Sequence, residues 1–180
     1  MKYPLIIGSH PGSQFLANCL KSLRGMECMV IVNDGYEMAK IREVYFNTRF
    51  EEFVFLQDSV ELKHTHWIED LFTEFPGRSV SVCGCPCPFG SYLGKFRREV
   101  LSKIALNETK TKVEAVNAER TFSQDYCAIE KPFQFFDDLN DRPVFEVMGG
   151  RQNMILENFF LKKYKGTWTM DMANQIDASK

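Results

Sequence analysis

Small and polar side chains that could hold a nucleotide follow three apolar runs in the first part of the chain. The three groups are Gly8-Ser9-His10, Asn33-Asp34-Gly35 and Gln57-Asp58-Ser59. One aspartate in such a place can hydrogen-bond a nucleobase or ribose, and another can hold a divalent cation against a diphosphate. We therefore predict that Asp34 contacts a nucleoside and that Asp58 binds Mg²⁺ or Mn²⁺.

Short apolar runs alternate with amphipathic patterns up to residue 90, which predicts a parallel sheet wrapped by helices. The predicted strands are Tyr3–Gly8, Met29–Val32, Phe53–Leu56 and Ser79–Cys85, and the predicted helices are one capped by Ser13, Tyr36–Asn47 and Trp67–Phe75. Ligands of such sheets bind at the carboxyl ends of the strands. The three polar groups therefore belong to one predicted edge.

The pattern is less regular after Gly90. It predicts a helix over Ser91–Leu106, a strand over Pro143–Met148 and a helix over Gln152–Tyr164. The fold class that follows is α/β, with one domain, a mostly parallel sheet and helices on both faces. We predict a single domain over residues 1–169, with a nucleotide-binding half (1–90), an acceptor half (91–169) and a polar tail (170–180).

Composition excludes several classes of protein. A net charge of -2 over 180 residues argues against a DNA-coating protein, which would carry a strong basic excess. No stretch approaches the roughly 20 apolar residues of a membrane span, and the start of the chain has no signal-peptide pattern. We predict a cytoplasmic protein whose six cysteines are reduced thiols.

Two other binding motifs are incomplete. The turn from Gly8 to Ser13 lacks the lysine that a phosphate-binding loop places before its serine, and its glycines do not match the dinucleotide fingerprint. Cys83, Cys85 and Cys87 alternate along an extended segment, but a structural zinc site would need a fourth ligand and usually has C-x-x-C spacing. Free thiols are the favoured interpretation, with zinc as the alternative.

Two segments resemble GT-A glycosyltransferases of the family 2 type. Val32-Asn33-Asp34-Gly35 resembles their nucleotide-binding strand end, and the run from Glu52 to Glu61 is similar to the strand that leads into their DxD region. The resemblance covers roughly the first half of the chain. It implies a GT-A (Rossmann-like) fold and transfer of a sugar from a nucleotide-diphosphate donor, assisted by Mn²⁺ or Mg²⁺. The chain departs from a full metal motif, because Gln57 and Ser59 flank Asp58.

Inverting sugar transfer needs a carboxylate base that accepts the proton of the acceptor hydroxyl. In the GT-A pattern this residue comes late in the chain, which makes Asp125 the first candidate. The other candidates are Glu130, Asp137 and Asp138.

A second anion-binding element is predicted at Gly149-Gly150-Arg151, where a strand would give way to a helix whose N-terminus favours phosphate. Arg151 would steady the leaving diphosphate, and Lys162, Lys163 and Lys165 would form either a closing lid or an ordinary helix end. The full predicted donor site comprises Gly8, Ser9, His10, Asn33, Asp34, Gln57, Asp58, Ser59 and Arg151.

Two alternatives to sugar transfer stay open. A nucleotidyltransferase uses similar sheet edges, but it normally has a basic glycine-rich loop near its N-terminus. A non-catalytic nucleotide-binding or scaffold domain would explain the missing carboxylates beside Asp58. The acceptor could be a protein, a glycan or a modified nucleic acid, and the short chain favours a homodimer.

Overall fold

The computed structural model describes residues 2–82, 93–109, 111–135, 140–147 and 151–165. The strands are β1 (Leu5–Ser9), β2 (Met29–Val32), β3 (Glu52–Gln57), β4 (Val60–Leu62), β5 (Val80–Ser81), β6 (Leu93–Arg97), β7 (Phe133–Gln134), β8 (Asn140–Val147), β9 (Arg151–Glu157) and β10 (Leu161–Lys165). The helices are α1 (Leu16–Ser22), α2 (Glu37–Asn47), α3 (His66–Thr73), α4 (Arg98–Leu101) and α5 (Lys112–Ile129).

The chain forms two compact units built from interleaved segments. The first contains residues 1–11, 27–57 and 66–138, and the second contains residues 12–26, 58–65 and 139–180.

The first unit contains a six-stranded sheet in the order β2-β1-β3-β6-β5-β7. β1 is parallel to both β2 and β3, and β5 is parallel to β7, whereas β6 is antiparallel to β3 and β5. An α/β fold with a mostly parallel, mixed sheet is therefore confirmed.

Apolar side chains from the sheet and from helices α2, α4 and α5 form the core of the first unit. Phe53 stacks on Phe96 with ring centroids 5.6 Å apart, and Phe122 and Tyr126 of α5 lie against the same Phe96 ring. Ile41 of α2 is fully buried in this cluster. The 3.6-residue spacing of apolar positions in α2 thus packs one helical face on the sheet.

The second unit contains a four-stranded antiparallel sheet in the order β4-β10-β9-β8, together with helix α1. The Ser22 hydroxyl at the end of α1 accepts a hydrogen bond from the Leu62 N–H of β4 at 2.9 Å. The prediction that Ser13 caps this helix is wrong: the helix begins at Leu16 with Phe15 at the N-cap position, and the Ser13 hydroxyl instead accepts a hydrogen bond from the Phe15 N–H.

The helix predicted over Gln152–Tyr164 is wrong, because this segment forms the hairpin of β9 and β10. The Asn158 side chain makes the turn: its Oδ1 atom accepts the N–H groups of Phe160 and Leu161 at 2.8 and 2.9 Å. Asn side chains commonly form such turns with backbone two residues ahead. The buried run Leu161–Tyr164 has no polar alternation that would identify it as a strand.

The helix predicted over Ser91–Leu106 is also wrong over its first part, where β6 lies between β3 and β5. Lys95 is fully buried in this strand, and its Nζ atom donates to Glu52 at 3.0 Å. Desolvation lowers the pKa of Lys95, although the hydrogen bond to Glu52 acts in the opposite direction. Among the described residues of this range, 93–106, a helix is present only at Arg98–Leu101.

Strand β2 is less buried than its apolar sequence predicts. It is the edge strand of the first sheet, so Val30 and Val32 are 37% and 50% exposed.

A buried polar network connects β5, β6 and α5. The Tyr126 hydroxyl contacts the Ser79 hydroxyl at 2.8 Å and accepts the Arg97 N–H at 3.0 Å. Glu130 accepts the Ser79 N–H and the Arg97 guanidinium, each at 2.6 Å. Burial alone would raise the pKa of Glu130, but the hydrogen bonds from Ser79 and Arg97 outweigh burial and lower it. Burial raises the pKa of Tyr126 to about 12.

Glu130→Gln should lower the free energy of unfolding at pH 7 by about 1–3 kcal/mol, because it weakens charged hydrogen bonds. The lowered pKa means that ionised Glu130 stabilises the fold above its unfolded pKa of about 4.3. This stabilisation is lost as the pH falls through the folded pKa, so wild type and variant should converge in acid. Urea unfolding at a series of pH values measures the difference.

Glu99 is the matched control, since it also pairs with Arg97, at 2.8 Å, but from an exposed position. Exposed pairs contribute little, so Glu99→Gln should hardly change stability at any pH. Equal losses in the two variants would contradict the role given to Glu130.

Gly8 of β1 lies where no larger residue fits. A Cβ atom on Gly8 would lie 2.4 Å from Cζ of Phe55 and 2.8 Å from Cδ of Lys40. Gly8→Ala should therefore destabilise the protein by about 1–3 kcal/mol through overpacking. Thermal unfolding would measure the loss.

Phe55→Leu removes the closest of these clashing atoms. Gly8→Ala should consequently cost less in a Phe55→Leu background than in wild type, which a double-mutant cycle detects. If the changes in the free energy of unfolding caused by the two substitutions are strictly additive, Gly8 and Phe55 are not in contact.

Candidate functional site

The carboxyl ends of β2, β1 and β3 lie side by side in the first unit. Gly8 is in register with Ile31 and Gln57, and Ser9 is in register with Val32. The Asn33 N–H donates to the Ser9 carbonyl at 3.3 Å, just beyond β2. The prediction that these strand ends share one edge is confirmed.

The order of the strands reverses at this edge, which makes it a topological switch point. From β1 the chain goes to β2 on one side, whereas β3 lies on the other side of β1 and leads towards β6 and β5. Ligands of open α/β sheets bind in the crevice outside the carboxyl ends of the strands at such a point. We call the edge formed by Gly8–His10, Asn33–Tyr36 and Gln57 the strand-end site.

Lys40 of α2 lies against the strand-end site, and sequence reasoning did not identify it. Its side chain is only 1% exposed, runs beside Gly8 and donates from Nζ to the Gly35 carbonyl. A phosphate-binding loop has its lysine next to the glycine-rich turn in sequence, whereas this fold brings a lysine beside Gly8 from a helix. The only sequence signal is a lysine one turn into a helix that follows Asn-Asp-Gly.

The side-chain amides of Asn33 and Gln57, both part of the predicted site, hydrogen-bond to residues of α2. The Gln57 side chain donates to Glu37, which is buried in the first turn of α2. The Asn33 side chain donates to Glu43 at 2.8 Å, and its Oδ1 atom is buried without a hydrogen bond among the described residues. These contacts brace α2 against the strand ends.

The exposed surface of the strand-end site is formed by side chains other than those of Asn33 and Gln57. His10 and Asp34 are exposed, and the His10 ring meets Tyr36 edge-on with centroids 6.2 Å apart. Ser9 is 1% exposed, and its hydroxyl donates to the His10 carbonyl at 3.3 Å, so this side chain faces inward. Tyr36 is a second residue that the sequence reasoning missed.

Asp58 and Ser59 belong to the second unit, in the turn between β3 and β4. Asp58 is buried, and the Ser59 hydroxyl accepts from Lys163 Nζ at 3.2 Å. Across the described ranges, no three His, Cys, Asp or Glu side chains come together as ligands for a metal ion. The described residues therefore do not fit a complete cation site, and metal binding by Asp58 stays a prediction.

The remaining predicted residues belong to elements other than those that form the strand-end site. Asp125 is exposed on α5 and lines a cavity of about 330 Å³ whose walls include none of the strand-end residues. Glu130 is engaged by Ser79 and Arg97. Arg151 begins strand β9, so the helix N-terminus predicted there is wrong.

Lys162 and Lys163 lie in strand β10 and are 6% and 4% exposed, which contradicts both a lid and a helix end. The predictions for Asp137, Asp138, the Gly149-Gly150 pair and the three clustered cysteines fall outside the described residues. Cys19, Cys28 and Cys127 form no disulfide.

Within the described ranges, no helix combines the length and the apolar character needed to span a membrane. The cytoplasmic location and the homodimer stay predictions.

Comparison with known proteins gives one similarity of fold. No protein-family model matches the chain, and no curated protein matches it. The chain is similar to the crystal structure of A197 from STIV, with a TM-score of 0.52 and 11% sequence identity over 93% of this chain and 96% of that chain. Similarity at this identity concerns the fold alone: the two proteins share an overall α/β architecture.

Proposed function

We propose that this chain is a glycosyltransferase with a GT-A-type fold, which moves a sugar from a nucleotide-diphosphate donor to an acceptor hydroxyl. The observation that carries the proposal is the strand-end site. Three parallel strands end there side by side, at the point where the strand order reverses. Donor nucleotides suit this position because ligands of open α/β sheets bind outside the carboxyl ends of the strands.

The nucleoside would contact the exposed part of the site. Asp34 can accept hydrogen bonds from a ribose hydroxyl or a base N–H, and the rings of His10 and Tyr36 offer edges and faces for a planar base. The resemblance to GT-A enzymes at Val32–Gly35 supports the same assignment.

The diphosphate would lie nearer to Gly8 and Lys40. In the transfer, the bond between the anomeric carbon and the diphosphate oxygen breaks, a bond from the acceptor oxygen to that carbon forms, and the proton of the acceptor hydroxyl passes to a base or to water. Negative charge then collects on the departing diphosphate. A fixed cation in a water-poor site stabilises such charge more than water does, and the ammonium group of Lys40, a buried side chain at this edge, would supply it.

The decisive measurement is calorimetry with uridine diphosphate and guanosine diphosphate, each with and without Mn²⁺. We expect saturable binding of at least one nucleotide, and release of nucleoside diphosphate when the matching nucleotide sugar is supplied with acceptors. If a nucleotide binds but no nucleoside diphosphate is released with any protein, glycan or nucleic-acid acceptor, a non-catalytic nucleotide-binding domain is favoured. A chain that binds neither nucleotide under any condition is not this enzyme.

Asp34→Asn should weaken nucleotide binding by about five- to hundredfold, because a charged hydrogen bond contributes about 1–3 kcal/mol. Glu74→Gln is the matched control, since Glu74 is an exposed carboxylate beyond the end of α3. Nucleotide affinity that falls equally in both variants would remove Asp34 from the site.

Lys40→Met should remove the ammonium group of Lys40 while keeping most of the packing of its side chain. Methionine can replace the buried aliphatic stem, and exchange of a buried charge for an apolar side chain is often neutral for stability. We expect the melting temperature to change little, while affinity for the diphosphate falls by about fivefold or more, which is about 1 kcal/mol. Unchanged affinity in a folded variant would overturn the role of Lys40.

A further inference from the structure

A cavity of about 530 Å³ adjoins the strand-end site and has walls that can discriminate between nucleotides. Asn33 and Gly35 of the strand-end site line it, and the rest of its lining comes from helix α2 and from Glu108 and Thr109. Because Asp34 lies between Asn33 and Gly35 in the chain, a nucleoside held there by its ribose can place its base in this space. We call it the α2 cavity.

An aromatic ring lines the α2 cavity in a way that suits a planar base. Phe46 is 62% exposed, even though the Arg42 guanidinium lies over its ring at 5.0 Å from the centroid. Both side chains line the cavity. Bases stack on aromatic rings and on guanidinium planes, and such stacking accepts any base. Stacking on Phe46 therefore fixes the plane of the base and leaves its identity to the polar groups of the wall.

The polar group that can identify the base is the carboxylate of Glu43. Glu43 lines the α2 cavity, lies one helical turn before Phe46, and accepts a hydrogen bond from the Asn33 side chain at 2.8 Å. That bond orients the carboxylate. An ionised carboxylate has about four acceptor sites, so Glu43 can still accept two parallel N–H groups from a base.

Guanine is the base whose donors match a carboxylate. Its N1–H and 2-amino groups donate side by side, whereas uracil has one N–H between two carbonyl oxygens, which a carboxylate repels. Adenine and cytosine have an amino group beside a ring nitrogen that accepts. The Arg42 guanidinium is already paired with Glu108 at 3.0 Å, so Glu43 keeps the wall rich in acceptors.

We propose that the α2 cavity binds guanine and that the donor is a guanosine diphosphate sugar. Guanine stacks on Phe46, its N1–H and 2-amino groups donate to Glu43, and the ribose lies at Asp34. With this placement the rings of His10 and Tyr36 border the ribose. The inference rests on the proposed sugar transfer, because it specifies the donor of the same site.

Calorimetry of the full chain with guanosine, inosine, adenosine and uridine diphosphates, each with Mn²⁺, tests the proposal. Guanosine diphosphate should bind about five- to hundredfold more tightly than the adenosine and uridine nucleotides, which is the discrimination expected of one bidentate pair. Inosine diphosphate lacks only the 2-amino group. It should bind about fivefold or more weakly than guanosine diphosphate, because one hydrogen bond to a carboxylate is lost.

The outcomes distinguish the choice of base from the reaction. If uridine or adenosine diphosphate binds as tightly as guanosine diphosphate, guanine is wrong while the proposed sugar transfer is unaffected. Equal binding of inosine and guanosine diphosphates would overturn the pairing with Glu43. If none of the four nucleotides binds, the sugar transfer and the choice of guanine both fail.

Glu43→Gln should change the preference between bases. Glutamine can still accept the hydrogen bond from Asn33, and its amide can pair with adenine, which offers one donor and one acceptor. The ratio of guanosine diphosphate to adenosine diphosphate affinity should therefore fall by about fivefold or more. Glu74→Gln is the control and should keep the ratio. An equal loss of both affinities in Glu43→Gln would show that Glu43 has a structural role only.

Phe46→Leu tests the stacking. Guanosine diphosphate affinity should fall by about fivefold or more, the size expected for one stacked base, while the melting temperature changes little because the ring is exposed. Phe159→Leu is the matched control, since Phe159 is 67% exposed and belongs to the second unit. Unchanged affinity in Phe46→Leu, or an equal loss in Phe159→Leu, would overturn the position of the base.

Discussion

The fold of the first unit depends on β1, which pairs in parallel with a neighbour on each side. Leu5, Ile6 and Ile7 are completely inaccessible to solvent, so both faces of this strand are covered. Double parallel pairing leaves the strand no freedom to slip, because its backbone groups bond to β2 on one side and to β3 on the other. The same pairing brings the three strand ends into line, and the strand-end site exists only because of it.

Sequence reasoning predicted this part of the molecule well for a physical reason. Short apolar runs that end in small polar residues and alternate with helical periodicity have few structural solutions. The predicted bounds of β2 agree with the structure, and the helix predicted at Tyr36–Asn47 begins one residue later, at Glu37. The candidate site residues Gly8, Asn33 and Gln57 lie at the shared edge as predicted.

The same reasoning failed where side chains are buried against their usual preference. Lys95, Lys162 and Lys163 lie inside strands with little exposure, and a lysine in a sequence suggests a solvated face. β6 and β10 were predicted as parts of helices from the spacing of the apolar residues in these segments, and the lysines gave no sign of a buried strand. Lys40 was overlooked for the same reason, since burial of its charge depends on the Gly35 carbonyl and the absence of a side chain at Gly8.

Prediction of the candidate site was limited by how the chain divides between units. Asp34 and Asp58 both follow strands of one sheet, yet Asp58 and the turn after it belong to the second unit. Spacing along a chain does not report where the backbone passes from one compact body into another. Asp125 illustrates a related limit, because a carboxylate late in the chain can belong to a helix and line a cavity that includes none of the strand-end residues.

Strand β2 has an implication for how the protein behaves in concentrated solution. As the outer strand of its sheet, it carries the half-exposed branched side chains Val30 and Val32 beside a row of backbone groups that face away from β1. Edge strands that are long and flat can pair with extended segments of other chains. With four residues bounded by Asn33-Asp34-Gly35, β2 is too short to nucleate fibril growth, so brevity serves as its protection against aggregation.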